Sequence, residues 1–182
     1  MTTRVDLVAS LRERGLRDER VLAAIELVPR ELFVPTELQA KAYEDQALPI
    51  GHGATISQPF MVAAICSLLE LEGSERVLDV GTGSGYQAAV LAELAAEVVT
   101  IERLPALAEG ARGALADAGY ARVEVRLGDG TLGVADRGPF DAIAVAAAAP
   151  EPPPALVEQL APAGRLVVPV GGRRGQRLAV IR

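Results

Sequence analysis

The sequence predicts an α/β fold: a doubly wound, mostly parallel sheet with an N-terminal helical extension and a shortened C-terminal end. Three observations lead there. From Pro59 onward, short runs rich in Val and Ile alternate with segments of helix length, the pattern of βαβ units whose helices cover both faces of a sheet. The first such run, Arg76 to Val80, opens into a turn carrying Gly81, Gly83 and Gly85 before a helix begins. Hydrophobic residues make up 50% of 182 residues against 23% charged, enough apolar surface for one packed domain and too much for disorder.

The elements follow in order. Val5, Val8 and Leu11 fall at helical spacing before Gly15, and Val21, Leu22, Ile25 and Val28 follow Asp18, read as the N-cap, until Pro29 stops the helix. From Arg30 to Gln58 periodicity fades among Pro35, Pro49, Gly51 and Gly53, and this stretch reads as a long irregular connection with a functional purpose. A helix from Pro59 to Leu69 leads to the strand Arg76–Val80, a helix beginning near Gly85, the strand Glu97–Ile101, a helix between Pro105 and Gly119, and the strand Val123–Leu127. Strand Ala142–Val145, a short helix near Leu160, strand Arg165–Val170 and a last strand Arg177–Ile181 complete the plan. The expected organisation is a single domain, residues 1–182, with N-terminal helices and an active-site loop over 1–58 and an α/β core over 59–182.

Composition excludes several function classes. A net charge of −6 opposes nucleic acid and anionic membranes as partners, since both are bound through Lys and Arg. A single cysteine, Cys66, forbids an internal disulfide, and with one histidine, His52, there are too few soft ligands for a structural zinc site. The first ten residues, with Arg4 and Asp6, lack a signal-peptide core, and the apolar stretch Ala142–Ala149 falls far short of the roughly 20 residues that span a bilayer. A soluble cytoplasmic protein, monomeric or weakly self-associating, is expected.

The candidate chemistry begins at Val77-Leu-Asp-Val-Gly-Thr-Gly-Ser-Gly-Tyr-Gln87. Glycines between a strand and a helix let the backbone turn sharply and approach a ligand, and Glu102, 21 residues after Gly81, ends the next strand where an acid accepts ribose hydroxyls. A dinucleotide fingerprint asks for a third glycine where this chain has Tyr86. The pattern here is instead Gly-x-Gly-x-Gly preceded by Asp79, with Gly128-Asp129-Gly130 after the third core strand, an acidic rim suited to amino groups and hostile to pyrophosphate. The competing interpretation is that these glycines only make tight turns and Glu102 only caps a helix.

Pro49-Ile-Gly-His-Gly-Ala-Thr-Ile-Ser-Gln-Pro59, taken with Val77–Gln87, Gly128–Gly130, Phe140–Ile143, Ala147–Pro150, Gln159-Leu160 and Gly164–Gly171, resembles the protein-L-isoaspartate O-methyltransferases, which are Rossmann-like class I methyltransferases. Val28–Pro35 and Ala42–Asp45 fit as well, so the resemblance covers nearly the whole chain in order. It implies methyl transfer from S-adenosyl-L-methionine to the α-carboxylate of L-isoaspartyl residues in damaged proteins and peptides. The ester then loses methanol to a succinimide, which begins repair. By similarity Ser57 is the active-site serine, Thr55, Ile56, Ala146 and Ala147 lie on the substrate side, and Asp79, Gly81, Gly83, Gly85, Glu102, Gly128, Asp129 and Gly130 bind the cofactor. Two departures stand out. Ala146 replaces the small polar residue, commonly Thr, of the family pattern, and the chain ends at Arg182, one strand before that pattern does, which implies an open sheet edge. Two other functions remain in view: a binding module that keeps the cofactor without turnover, and a nicotinamide-dependent oxidoreductase, which Tyr86 disfavours.

The residues themselves suit methyl transfer. A carboxylate acceptor with a pKa of about 4 is ionised at neutral pH, so no general base is needed and in-line positioning suffices. Ser57 would orient that carboxylate; its plainer role would be the N-cap of the helix after Pro59. His52 reads as a surface residue and Cys66 as a core thiol. Tyr43, Glu44 and Asp45 fit a substrate-side wall and a solvated loop equally well. The cluster Arg173, Arg174 and Arg177 reads as a solvated hairpin.

Overall fold

A six-stranded sheet forms the centre of the computed structural model, which describes residues 2–172 and 175–182. Its strands are β3 (Arg76–Val80), β4 (Glu97–Glu102), β5 (Glu124–Leu127), β6 (Phe140–Val145), β7 (Leu160–Gly172) and β8 (Gly175–Ile181), in the spatial order β5-β4-β3-β6-β7-β8. The first five run parallel, and β8 returns antiparallel beside β7. Order reverses at β3, so the crevice between the carboxyl ends of β3 and its neighbours is where a fold of this kind binds ligands.

Alternation along the strands divides the core in two. Val77, Val98 and Ala142 point to the face covered by α1 (Arg4–Glu13), α2 (Glu19–Leu27), α3 (Pro59–Leu69) and α4 (Tyr86–Leu94). Leu78, Val80, Val99, Ile101, Ile143 and Val145 point the other way, to a smaller cluster with Leu156 of α6 (Pro154–Glu158). Helix α5 (Pro105–Asp117) packs on β4 and β5. The helix starts have local causes. Thr3 and Asp6 form a capping box at α1, and the Asp18 carboxylate accepts the Arg20 and Val21 amides at α2, each exchange satisfying donors that a helix end otherwise leaves unpaired.

The structure corrects three expectations. The connection over residues 30–58 is ordered: it holds two 3-10 turns, Arg30–Phe33 and Thr36–Lys41, and a hairpin of β1 (Leu48–Gly51) with β2 (Ala54–Ile56). Pieces of three to six residues are too short to show a period. Ser57 does not cap α3; Gln58 occupies the cap position without a side-chain bond, and the Asp45 carboxylate accepts the Phe60 amide at 2.9 Å from across the loop. The helix placed near Leu160 ends at Glu158, and Leu160 already belongs to β7. Of the arginines read as a solvated hairpin, Arg173 and Arg174 lie outside the described residues, while Arg177 is exposed on β8.

One polar cluster lies inside the core. Asp79 on β3 is fully buried and accepts hydrogen bonds from Gln87 Nε2 and Thr100 Oγ1, both at 2.8 Å. The Thr100 hydroxyl also lies 2.7 Å from that of Thr82, so the cluster joins β3, β4, α4 and the glycine turn. Burial pushes the Asp79 carboxyl up to about 6 against the opposing hydrogen bonds from Gln87 and Thr100, with the Glu102 charge adding to the rise. The folded protein therefore holds this proton more tightly than the unfolded chain, so the stability linked to it is complete below the ordinary value of 3.8 and lost as pH rises through about 6. Asp79→Asn, which mimics the protonated form, should exceed the wild type in stability by about 3 kcal/mol at pH 8, with the gap closing towards pH 4. Urea unfolding across that range measures it; a gap that ignores pH would contradict the assignment.

Candidate active site

A cleft of about 890 Å3 opens at the carboxyl ends of β3 to β6, with the β1–β2 hairpin forming one wall. Its floor is the turn after β3. The amides of Gly81 and Thr82 both donate to the Ile101 carbonyl, at 3.0 and 3.2 Å, which folds the turn across the end of β4. Gly81 and Gly85 have φ of 96° and 93°, a left-handed conformation that side chains resist, so glycine is needed for the chain to reverse into α4 there.

Glu102 sits at the end of β4 with 7% of its surface exposed. One carboxylate oxygen accepts the Gly83 amide at 2.9 Å and the other the Leu104 amide at 3.0 Å, so the acid is locked between the glycine turn and the start of α5. Asp129 faces the same cleft from the end of β5. The amide and hydroxyl of Thr131 both donate to it, at 2.9 and 2.8 Å, and these bonds hold its carboxyl below the usual range. Beside it a Cβ on Gly130 would lie 2.6 Å from Val80 Cγ1, so only a bare backbone fits against that floor. Gly128 lines the cleft too.

Thr55, Ile56 and Ser57 line the same cleft from the hairpin side, and Ala146 and Ala147 line it just after β6. Of the residues singled out from sequence, the structure thus brings the serine segment, the glycines, Glu102, Asp129 and the alanine pair to one cavity. Asp79 is the exception. It lies behind the glycine turn, off the cavity wall, and reaches it through Gln87 and through Thr100 and Thr82. Tyr43 and Asp45 are off the wall as well: Tyr43 bonds Arg4 and Glu31, and Asp45 bonds Arg14, Gln58 and Phe60. Cys66 is a buried core thiol whose ionisation burial opposes. His52 is exposed, yet in the hairpin turn it also faces the cleft.

Sequence reasoning missed two residues. Gln87 lies on the cleft wall, and its Oε1 is buried without a partner among the described residues while Nε2 is bound to Asp79. Its position two residues after Gly85, in the first turn of α4, is the signal that could have found it. Arg30 is fully buried: Nε donates to the Ala42 carbonyl at 2.7 Å, and its two terminal nitrogens to the carbonyls of Ser57 at 2.9 Å and Gln46 at 3.1 Å. Its guanidinium also lies 4.9 Å from the centre of the Tyr86 ring. Nothing in a sequence distinguishes such an arginine from a solvated one.

The cavity brings together two acids, a glycine floor and a serine segment. It is large enough to enclose a nucleoside-sized ligand with an acceptor group beside it. Among the described residues no three His, Cys, Asp or Glu side chains gather as a metal site requires.

Comparison with known proteins agrees with this geometry. The family described as protein-L-isoaspartate(D-aspartate) O-methyltransferase matches residues 2–182. A protein-L-isoaspartate O-methyltransferase of Methanoculleus marisnigri is 57% identical over 168 residues, covering 92% of this chain and 76% of the relative. One from Anaeromyxobacter sp. is 56% identical over 178 residues, 97% of this chain and 83% of the relative. Among solved structures, one from Plasmodium falciparum, described as such a methyltransferase in complex with S-adenosyl-L-homocysteine, superposes with a TM-score of 0.84 at 27% identity, over 99% of this chain and 89% of its own. With its length matched almost throughout and its cavity built from the matching segments, the chain belongs to the protein-L-isoaspartate(D-aspartate) O-methyltransferase family.

Proposed function

We propose that the glycine turn, Glu102 and Asp129 hold S-adenosylmethionine and that the Thr55–Ser57 segment presents the acceptor to it. The chain is an S-adenosylmethionine-dependent O-methyltransferase that esterifies the α-carboxylate of L-isoaspartyl residues and so initiates protein repair. The observation that carries the residue assignment is that the serine segment and the acid–glycine floor line one cavity.

The residues present fit the cofactor. Glu102 and Asp129 each offer acceptors for hydroxyl or amino hydrogens, Gly130 leaves room for close approach to the floor, and the unpaired Gln87 Oε1 suits an N–H donor. When bound, S-adenosylmethionine supplies an electrophilic methyl group on a cationic sulfur. The protein's part is orientation. Ser57 donates a hydrogen bond to one oxygen of the acceptor carboxylate and leaves the other in line with the methyl group; no proton has to move, so no base is needed. Ala146 and Ala147 line the same cavity without polar side chains, so on the serine segment the hydroxyl donors are those of Thr55 and Ser57. Residues 1–58 and the α/β core act together as one unit, since each supplies one wall.

The net charge of −6 argues for protein and peptide substrates rather than nucleic acid, and a cytoplasmic site of action goes with this reading. Among the described residues no helix is long and apolar enough to cross a membrane. The weakly oligomeric or monomeric state is an expectation that sedimentation would check.

Incubation with labelled S-adenosylmethionine and a matched pair of isoaspartyl and aspartyl peptides should yield base-labile methyl ester on the isoaspartyl peptide alone. Ester on neither, from protein that still binds S-adenosylhomocysteine, would select a binding module; tighter binding of NAD than of S-adenosylhomocysteine would select an oxidoreductase. Ser57→Ala should lower kcat/KM for the isoaspartyl peptide by roughly 10- to 100-fold, the cost of one hydrogen bond to a charged group, and leave S-adenosylhomocysteine affinity near wild type. Unchanged turnover would refute the role of Ser57. Glu102→Ala should show the complementary pattern in calorimetry, with cofactor affinity reduced roughly tenfold or more because both ribose acceptors and the Gly83 tether are lost.

A further inference from the structure

A carboxylate entering the cleft needs positive charge nearby, and the structure places one just behind the wall it meets. Arg30 is fully buried, and among the described residues its hydrogen bonds all go to neutral backbone carbonyls: Ala42, Gln46 and Ser57. Desolvation lowers its pKa, yet an arginine remains charged at any physiological pH. Asp45 is the acid whose charge it feels, and that carboxylate is already engaged by Arg14, by the Gln58 side chain and by the Phe60 amide. Arg14, Arg30 and Asp45 together leave one excess positive charge beside the start of α3.

Two of the groups that Arg30 touches, Ser57 through its carbonyl and Tyr86 through its ring, line the cleft. A charge in so dry a place is weakly screened and acts strongly at short range. Burying it against carbonyls alone is also expensive, which argues for a purpose beyond holding a loop.

We propose that Arg30 is a positioning residue for the acceptor: it fixes the Ser57 segment by its fork of hydrogen bonds, and its uncompensated charge selects an acceptor bearing a carboxylate over a neutral one. The inference rests on the assignment of Ser57 to the acceptor end of the cavity.

The test compares two peptides bound to the S-adenosylhomocysteine complex, whose neutral sulfur leaves the protein as the source of attraction. One carries an isoaspartyl residue; the other carries its α-carboxamide analogue, alike in shape and uncharged. The wild type should prefer the carboxylate by roughly tenfold or more. Arg30→Lys should retain most of that preference and Arg30→Gln should lose it, while both keep S-adenosylhomocysteine affinity within a few-fold of wild type. A preference that survives in Arg30→Gln, with affinity for both peptides reduced alike, would reduce Arg30 to a structural brace and overturn the proposal. Loss of preference in Arg30→Lys would likewise overturn the role of charge.

If Arg30→Gln does not fold, Asp45→Asn carries the test. Removing the local acid should enlarge the preference for the carboxylate, and an unchanged ratio would overturn the proposal. A wild type that binds neither peptide would instead defeat the functional assignment on which the inference stands.

Discussion

The Arg30 guanidinium, packed over the Tyr86 ring and bonded to three backbone carbonyls, joins the N-terminal segment to the sheet. Phe33 meets the same ring edge-on, with centroids 5.8 Å apart. The Ala42 carbonyl, on a fully buried residue, would be left without this donor if the guanidinium were absent, at a cost of about 1–3 kcal/mol. The segment from Ala42 to Ser57 is anchored in the core by Ala42, Leu48 and Ile56, and the three bonds from Arg30 tie its two ends and its middle to one point. The hairpin and the serine segment take their places relative to the glycine turn through these apolar anchors and the Arg30 fork together.

That constraint explains why Tyr86 stands where a dinucleotide-binding protein has glycine. A third glycine lets helix and strand close around a pyrophosphate. Here the Tyr86 side chain is buried in the larger core at the border of the cleft, and its ring serves as the seat for Arg30 and Phe33. The loss of one ligand chemistry and the docking of an extra wall are the same substitution. Behind the turn, Asp79, Thr82, Gln87 and Thr100 form a second brace, which holds the floor of the cleft to β3, β4 and α4. The cavity is thus fixed from both sides by buried polar groups, in keeping with a reaction that relies on orientation rather than on proton transfer.

Legibility in the sequence followed the size of the repeating unit. Helix α3 and strand β3 lie where periodicity and the flanking Pro59 and Gly73 place them, because each spans enough residues to display a pattern and each has a boundary residue with a steric reason. The β1–β2 hairpin was invisible for the opposite reason: four and three residues, with Pro49 and Gly51 in the first and Gly53 in the turn, carry no period. The residues grouped by motif do meet at one cleft, since a strand–turn–helix unit delivers Gly81 to Gly85 and Glu102 together. Asp79 shows where motif reading stops, for a position in a motif does not say which face of the strand the side chain takes. Gln87 and Arg30 were missed because their roles depend on tertiary partners far away in sequence, Asp79 and Ser57 among them.

The claim on which the rest depends is that acceptor and methyl donor meet between Ser57 and the glycine turn. A crystal structure of the protein with S-adenosylhomocysteine and an isoaspartyl peptide tests it most directly. The expected result has the homocysteine sulfur facing the Thr55–Ser57 segment, with the peptide α-carboxylate within hydrogen-bond distance of the Ser57 hydroxyl and one of its oxygens in line with the missing methyl group. A carboxylate bound elsewhere, or a sulfur turned away from Ser57, would contradict it.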